Sequence, residues 1–174
     1  MKKYITFAFL LFLMSCSSSK VVYDYDVKTN FNAYKTFHFF EDVGVGLNDL
    51  DVDRLISAIE KQLMQLGFEK SESPDFYINF SGIKNELANN ETVSVGIGNS
   101  GGNIGLGIFG DILIGRKKVQ EKLTIDFIDS KKDQLIWQGI STATIREQVT
   151  PQKREEYFKQ IVQKILSKYP PKKY

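Results

Sequence analysis

Two stretches far apart in this 174-residue chain carry apolar side chains on one helical face only. Between Asp51 and Leu66, the residues Val52, Leu55, Ile56, Ile59, Leu63 and Leu66 recur at three- and four-residue spacing. Between Pro151 and Lys168, the residues Tyr157, Phe158, Ile161, Val162, Ile165 and Leu166 do the same, and Tyr169 follows. A helix with one apolar stripe must bury it against another layer. The rest of the chain supplies that layer, because it alternates at period two. Val21, Tyr23 and Tyr25 alternate with Val22, Asp24 and Asp26. Lys35–Phe40, Asp75–Ile83, Thr92–Ile97, Lys117–Asp129 and Gln134–Ile145 read as further strands, with Ser130–Asp133 as the turn of a hairpin. The pattern predicts an α+β fold: a two-layer sandwich, mainly antiparallel, with both helices on one face of the sheet. The first helix is expected to join a parallel pair of strands.

Local signals bound these helices. Asp49 and Asp51 suit the positive end of the first helix, and Gly67 suits the position after its last turn. Thr150 is the expected N-cap of the second, with Pro151 opening it and Lys153 in place of a capping-box Glu. Pro170-Pro171 stops it.

The start of the chain obeys other rules. Lys2 and Lys3 precede an apolar run from Tyr4 to Met14, broken only by Thr6. At ~1.5 Å per residue the run spans about 16 Å, roughly half a bilayer's hydrocarbon core. That is too short to cross a membrane and fits a signal peptide. It ends Leu13-Met14-Ser15-Cys16, which resembles the lipobox of bacterial lipoproteins. The resemblance implies cleavage between Ser15 and Cys16 and acylation of Cys16. Acyl chains contribute ~0.8 kcal/mol per buried CH₂, enough in combination for stable anchoring. Residues 1–15 are then a signal peptide, 16–20 a lipidated Cys with a short tether, and 21–174 a single domain. Ser17 after the Cys, rather than Asp, is similar to lipoproteins sent to the outer membrane in enteric bacteria. An acidic surface-export cluster is lacking, so a periplasm-facing location is expected.

Charge narrows the partners. Lys and Arg total 23 against 21 Asp and Glu. Removing Lys2 and Lys3 makes the mature chain formally neutral, so membrane attachment rests on acyl chains at Cys16 and no nucleic-acid partner is expected. The single His and single Cys leave no zinc, iron–sulfur or disulfide framework, and no metal or cofactor is expected.

Several segments, taken in order, resemble the bacterial family called domain of unknown function 4136. They are Tyr23-Asp24-Tyr25-Asp26, Phe31-Asn32-Ala33-Tyr34-Lys35-Thr36-Phe37, Leu66-Gly67-Phe68 and Pro74-Asp75-Phe76. Leu123-Thr124-Ile125-Asp126-Phe127-Ile128-Asp129, Leu135-Ile136-Trp137-Gln138-Gly139 and Lys168-Tyr169-Pro170-Pro171 complete the set. The resemblance covers about residues 22–171. It implies an α+β envelope lipoprotein and carries over no catalytic residue. The chain departs from the family's pattern in the glycine-rich stretch after residue 95.

That stretch holds Gly105, Gly107 and Gly110 in a GxGxxG spacing. It lies mid-chain with no helical period after it, so it does not read as a dinucleotide site. It reads as a loop or irregular hairpin. Alternatively Ile104, Leu106, Ile108, Phe109, Ile112, Leu113 and Ile114 form an apolar contact surface. Asp49, Asp51, Asp53 and Glu60 match positions of a calcium loop, but Arg54 stands where the loop needs Gly. They read instead as acidic residues opening a helix. His38, between Phe37 and Phe39, reads as a strand residue. Asp126 and Asp129 are three apart on a strand and point to opposite faces, which argues against a glycosidase pair. Asp129 is expected to shape the turn before Lys131. Trp137 with Tyr23, Tyr25, Tyr34 and Tyr77 packs the core or lines a ligand or partner face. Lys168, Lys172 and Lys173 read as a solvated basic tail.

The sequence therefore favours a non-enzymatic interaction or assembly module in the envelope, with an envelope protein as partner. The alternative is a small-molecule or lipid binder. A filled core with an exposed apolar edge favours the first, and a large apolar pocket the second.

Overall fold

The structure, a computed structural model, describes residues 19–87 and 118–172. The expected strand Thr92–Ile97, the apolar contact surface from Ile104 to Ile114, Ser15, Cys16 and Lys173 lie outside the described residues. Among the described residues six strands form one sheet: β1 (Lys20–Tyr25), β2 (Thr36–Phe39), β3 (Glu69–Lys70), β4 (Phe76–Glu86), β5 (Lys118–Asp129) and β6 (Gln134–Arg146). Their spatial order is β1-β6-β5-β4-β2-β3. All neighbours are antiparallel except β2, which runs parallel to both β3 and β4. The helices are α1 (Asp49–Gln65) and α2 (Pro151–Leu166). The α1 crossover thus joins parallel strands, as its position between two apolar runs implied. The two-residue β3 went unseen, since so short a strand has no period.

Both helices cover the same sheet face. Leu55, Ile59 and Leu63 of α1 and Phe158, Ile161, Val162 and Ile165 of α2 share one buried cluster with Phe37, Phe76, Phe80, Ile125, Phe127 and Trp137. Leu66, expected on the α1 stripe, is instead 41% exposed, because it caps the helix and the chain then turns away at Gly67 (φ +89°). Ala58 is buried on that stripe instead. The N-cap of α1 is Asn48, whose Oδ1 accepts from the Asp51 N–H at 3.0 Å. Thr150 caps α2, accepting from the Lys153 N–H at 3.4 Å.

The core is aromatic at its centre. Phe127 lies 4.7 Å from Phe76, 4.9 Å from Trp137 and 4.7 Å from Tyr169, centroid to centroid. Trp137 is fully buried, whereas Tyr77 stacks on Phe40 at 4.9 Å on the opposite sheet face. Trp137 and the four tyrosines therefore line no common groove. The β5/β6 register shifts between Phe127 and Ile128, where β6 carries Ile136 as an additional residue. That bulge lets Ile136 and Trp137 both be buried although they are adjacent.

Gly139 of β6 lies directly beneath Ile165 of α2. A Cβ there would meet the Trp137 ring at 2.4 Å and Ile165 at 2.5 Å, neither of which can swing away. Gly139→Ala should therefore destabilise the domain by about 1–3 kcal/mol, the range of an overpacked core. Thermal and urea denaturation of the two proteins measures it. An unchanged midpoint would show that α2 rides higher above the sheet.

Candidate functional site

Three charged residues sit inside the apolar stripes of three elements. Asp51 lies in the first turn of α1, Arg154 in the first turn of α2, and Glu121 on the helix-facing side of β5. Asp51 is 3%, Glu121 1% and Arg154 7% exposed. Buried ions must be paired, and these are paired to each other. Arg154 Nε donates to both Asp51 oxygens at 3.2 Å, and Nη2 to Asp51 Oδ2 at 2.9 Å. Its other edge grips Glu121, from Nη1 to Oε2 at 2.8 Å and from Nη2 to Oε1 at 2.5 Å. One guanidinium thus forks two carboxylates, a geometry lysine cannot supply. The Phe158 ring lies 4.2 Å from the guanidinium carbon and the Tyr157 ring 5.3 Å.

Two further cations close the cluster. Arg54 Nη1 lies 2.9 Å from Asp51 Oδ1. Lys84 of β4 lies 3.8 Å from Asp51 and 3.9 Å from Glu121, with its side chain 41% exposed. Asn48 donates to Asp51 Oδ2 at 3.1 Å. The cluster floors an open cleft of about 490 Å³ where the sheet runs past the helix N-termini.

The electrostatics suit a strut better than a reactive centre. Burial raises the pKa of Asp51, but hydrogen bonds and charge from Arg154, then Arg54, outweigh it and hold the carboxyl below its ordinary value. Burial works against the Arg154 charge too, and its bonds to Glu121 and Asp51 prevail, raising its pKa. Burial, then the Glu121 charge, pushes the Tyr157 phenol well above its usual range. An ionised carboxylate bound on both oxygens and an arginine that stays charged offer no proton to move.

The residues weighed as catalytic or metal-binding from sequence are dispersed. Asp51 turns inward, Asp49 and Asp53 are exposed, and Glu60 pairs with Lys70 at 3.0 Å. Among the described residues no group of three or more His, Cys, Asp or Glu is placed to hold a metal. His38 Nε2 faces the exposed Glu72 at 3.6 Å. Asp129 accepts from the Tyr34 hydroxyl at 2.5 Å and from the Lys131 and Lys132 N–H groups at 2.9 and 2.8 Å, which builds the turn expected of it. Asp126 lies on the uncovered sheet face, beside Asn79 and Gln138 in the register. Gln138 donates to it at 2.8 Å. Burial dominates there and raises its pKa despite that bond. Sequence reading missed the cluster, although each member carries a signal: a charge at a position whose period demands an apolar residue.

Arg154→Met leaves Glu121 buried with only the more distant Lys84 and Asp51 with Arg54 and Lys84, and should cost about 3 kcal/mol in urea unfolding. The triple change Asp51→Leu, Glu121→Leu, Arg154→Met should be close to neutral or stabilising by about 1–4 kcal/mol. A triple variant as damaged as the single one would mean that the charges do more than pair.

Two carboxyls give opposite pH responses. The pKa of Asp51 is lowered on folding, so its contribution is present above its ordinary value of 3.8 and lost as pH falls through the folded value. The pKa of Asp126 is raised, so it costs stability above the folded value and nothing below 3.8. Asp126→Asn should raise the melting temperature at neutral pH, and the gain should vanish below pH 3.8. The Asn79 Oδ1, buried with no partner among the described residues, gains a possible donor in that variant.

Comparison with solved structures places this fold among known ones. A PDZ domain protein from Parabacteroides distasonis aligns with TM-score 0.54 and 14% identity, over 99% of this chain and 41% of that one. This chain thus spans about two fifths of that protein's length. The dodecameric PelC from Paraburkholderia phytofirmans aligns with TM-score 0.51 and 9% identity in one crystal form, over 86% of this chain and 96% of that one. A minor lipoprotein from Acinetobacter baumannii aligns more loosely, at TM-score 0.38 and 12% identity, over 76% of this chain and 88% of that one. At these identities the first two likenesses concern the fold alone. No curated protein matches the sequence. A family model does match, over residues 21–171, which is nearly all of the domain. The chain belongs to the family described as Domain of unknown function (DUF4136).

Proposed function

We propose that this protein is a non-enzymatic interaction or assembly module of the bacterial envelope, anchored by acyl chains on Cys16 and facing the periplasm from the outer membrane. The observation that carries the reading is the order basic start, short apolar run, Leu13-Met14-Ser15-Cys16, with Ser17 next. Strand β1 opens at Lys20, the last residue of the expected tether. Ser19 is held there, since Lys164 Nζ donates to its carbonyl and, at 2.8 Å, to its hydroxyl. No helix among the described residues is long and apolar enough to cross a membrane.

The packing supports a module rather than a binder. Rings fill the space between the helices and the sheet. The cleft at the sheet end is open and floored by ion pairs. Apolar side chains lie exposed at the β1 edge, with Val22 46% and Tyr23 37% accessible. Against enzyme chemistry stand the carboxylates of Asp51, Asp75, Glu121, Asp126 and Asp129, each already committed to a cation, an amide or a turn.

Crosslinking in intact cells, followed by envelope fractionation and mass spectrometry, tests the proposal with Cys16→Ser as control. The wild-type chain should fractionate with the outer membrane and carry one abundant envelope protein. The Cys16→Ser chain should lose both. A lipid or small molecule retained by both forms, with no protein crosslinked, would replace the module by the binder.

A further inference from the structure

Among the described residues, strand β1 lies at the edge of the sheet, hydrogen-bonded only to β6. In an antiparallel ladder alternate residues bond the partner strand and the others turn their amides outward. The Asp26 N–H donates to the Ile136 carbonyl at 3.0 Å, which sets the phase. Lys20, Val22 and Asp24 therefore bond β6, and Val21, Tyr23 and Tyr25 present their backbone groups to the outside. Two groups at the ends of this edge are already engaged. The Ser19 carbonyl accepts from Lys164, and the Tyr25 N–H donates to Asp24 Oδ1 at 2.8 Å. Among the described residues that leaves the Tyr25 carbonyl and, as complete pairs of donor and acceptor, the N–H and C=O of Val21 and Tyr23.

The side chains on this strand complement their own reverse. Lys20, Val22 and Asp24 share the sheet face that the helices leave uncovered, and all three are exposed. Laying a second β1 antiparallel, so that Val21 faces Tyr23, sets Lys20 against Asp24 twice and Val22 against Val22. Sliding by two residues either way would need the engaged Ser19 or Tyr25 groups and would set Val22 against a charge. The strand has no Pro, no bulge and no inward-pointing charge, and its one guard, the charged pair Lys20 and Asp24, is the pair that this register sets against each other.

We propose that β1 is a homotypic interface: two copies of this chain pair β1 to β1, antiparallel, with Val22 on the two-fold axis. The two sheets then join edge to edge. Four backbone hydrogen bonds and two rim ion pairs make a weak contact in free solution. Confinement by the proposed anchor raises the effective concentration. The strength of the pairing therefore rests on the anchor reading, and its register does not.

Single-cysteine scanning of the full chain in its envelope, under mild oxidation, tests the register. Wild type, with Cys16 alone, sets the background. Val22 occupies a non-hydrogen-bonded pair, whose Cα atoms lie about 4.5 Å apart, within disulfide range. Val22→Cys should give a linked dimer at about tenfold the yield of Val21→Cys or Tyr23→Cys. Lys20→Asp or Asp24→Lys in that background should reduce the yield about fivefold or more, and the two together should restore it. Equal yields along the strand, a maximum at Tyr23→Cys, or no rescue by the charge swap would overturn the pairing. Fractionating the same cells separates the two readings. Membrane-bound chain without the Val22→Cys dimer overturns the pairing alone, and soluble chain with the dimer overturns the anchor alone. For soluble chain without it, the purified full-length Val22→Cys protein is oxidised at about millimolar concentration, and a missing dimer overturns the pairing too.

Discussion

Arg154 is the residue on which the arrangement of the layers depends. It belongs to α2, yet its guanidinium is spent on Asp51 of α1 and Glu121 of β5. One side chain therefore fixes three elements relative to each other at the end of the sheet where both helices begin. The apolar core could tolerate some sliding of a helix along its stripe, since hydrophobic contact has little direction. Two bidentate ion pairs have a narrow geometry and forbid it. The cluster's contribution is specificity of docking more than net stability, because taking charges out of water offsets much of their attraction.

That constraint decides what is left free. With α1 and α2 held on one face, the opposite face of the sheet remains uncovered among the described residues, and β1 is its edge. Asp126 shows how far that open face departs from a plain solvated surface: its neighbours Asn79 and Gln138 bury it enough to raise its pKa. Just ahead of β4, Asp75 ties β2 to β4, accepting from the Lys35 and Thr36 N–H groups at 2.8 and 3.0 Å. Asp51, Asp75, Glu121, Asp126 and Asp129 thus hold the domain's own chain together, and the proposed contacts fall to the strand edge and the sheet face.

Much of this was legible in the residues. Phe76, Ile78 and Phe80 announced a strand with one buried face, and all three are fully buried. The stripes of α1 and α2 fixed the number of layers and the face they share. Local patterns could not reveal what depends on distance along the chain. Asp51 and Arg154 are 103 residues apart, and no period connects them. The Ile136 bulge is not legible either, because the three consecutive apolar residues Leu135, Ile136 and Trp137 fit a strand without showing which two face inward. Asn48 was masked as a cap by the acidic pair Asp49 and Asp51, of which one is exposed and the other faces the core. At the candidate site, the charges were visible one by one as misfits in apolar stripes, and only the fold brought them together.

Everything proposed about the protein's work begins at Cys16, since an anchor there sets the plane in which β1 and the open sheet face meet their partners. Intact-mass and N-terminal peptide mass spectrometry of the chain extracted from cell envelopes tests this most directly. The account predicts a mature N-terminus at Cys16 carrying a diacylglyceryl group, with an added N-acyl chain. A chain that still begins at Met1, or that begins with an unmodified Cys16 thiol, would contradict it.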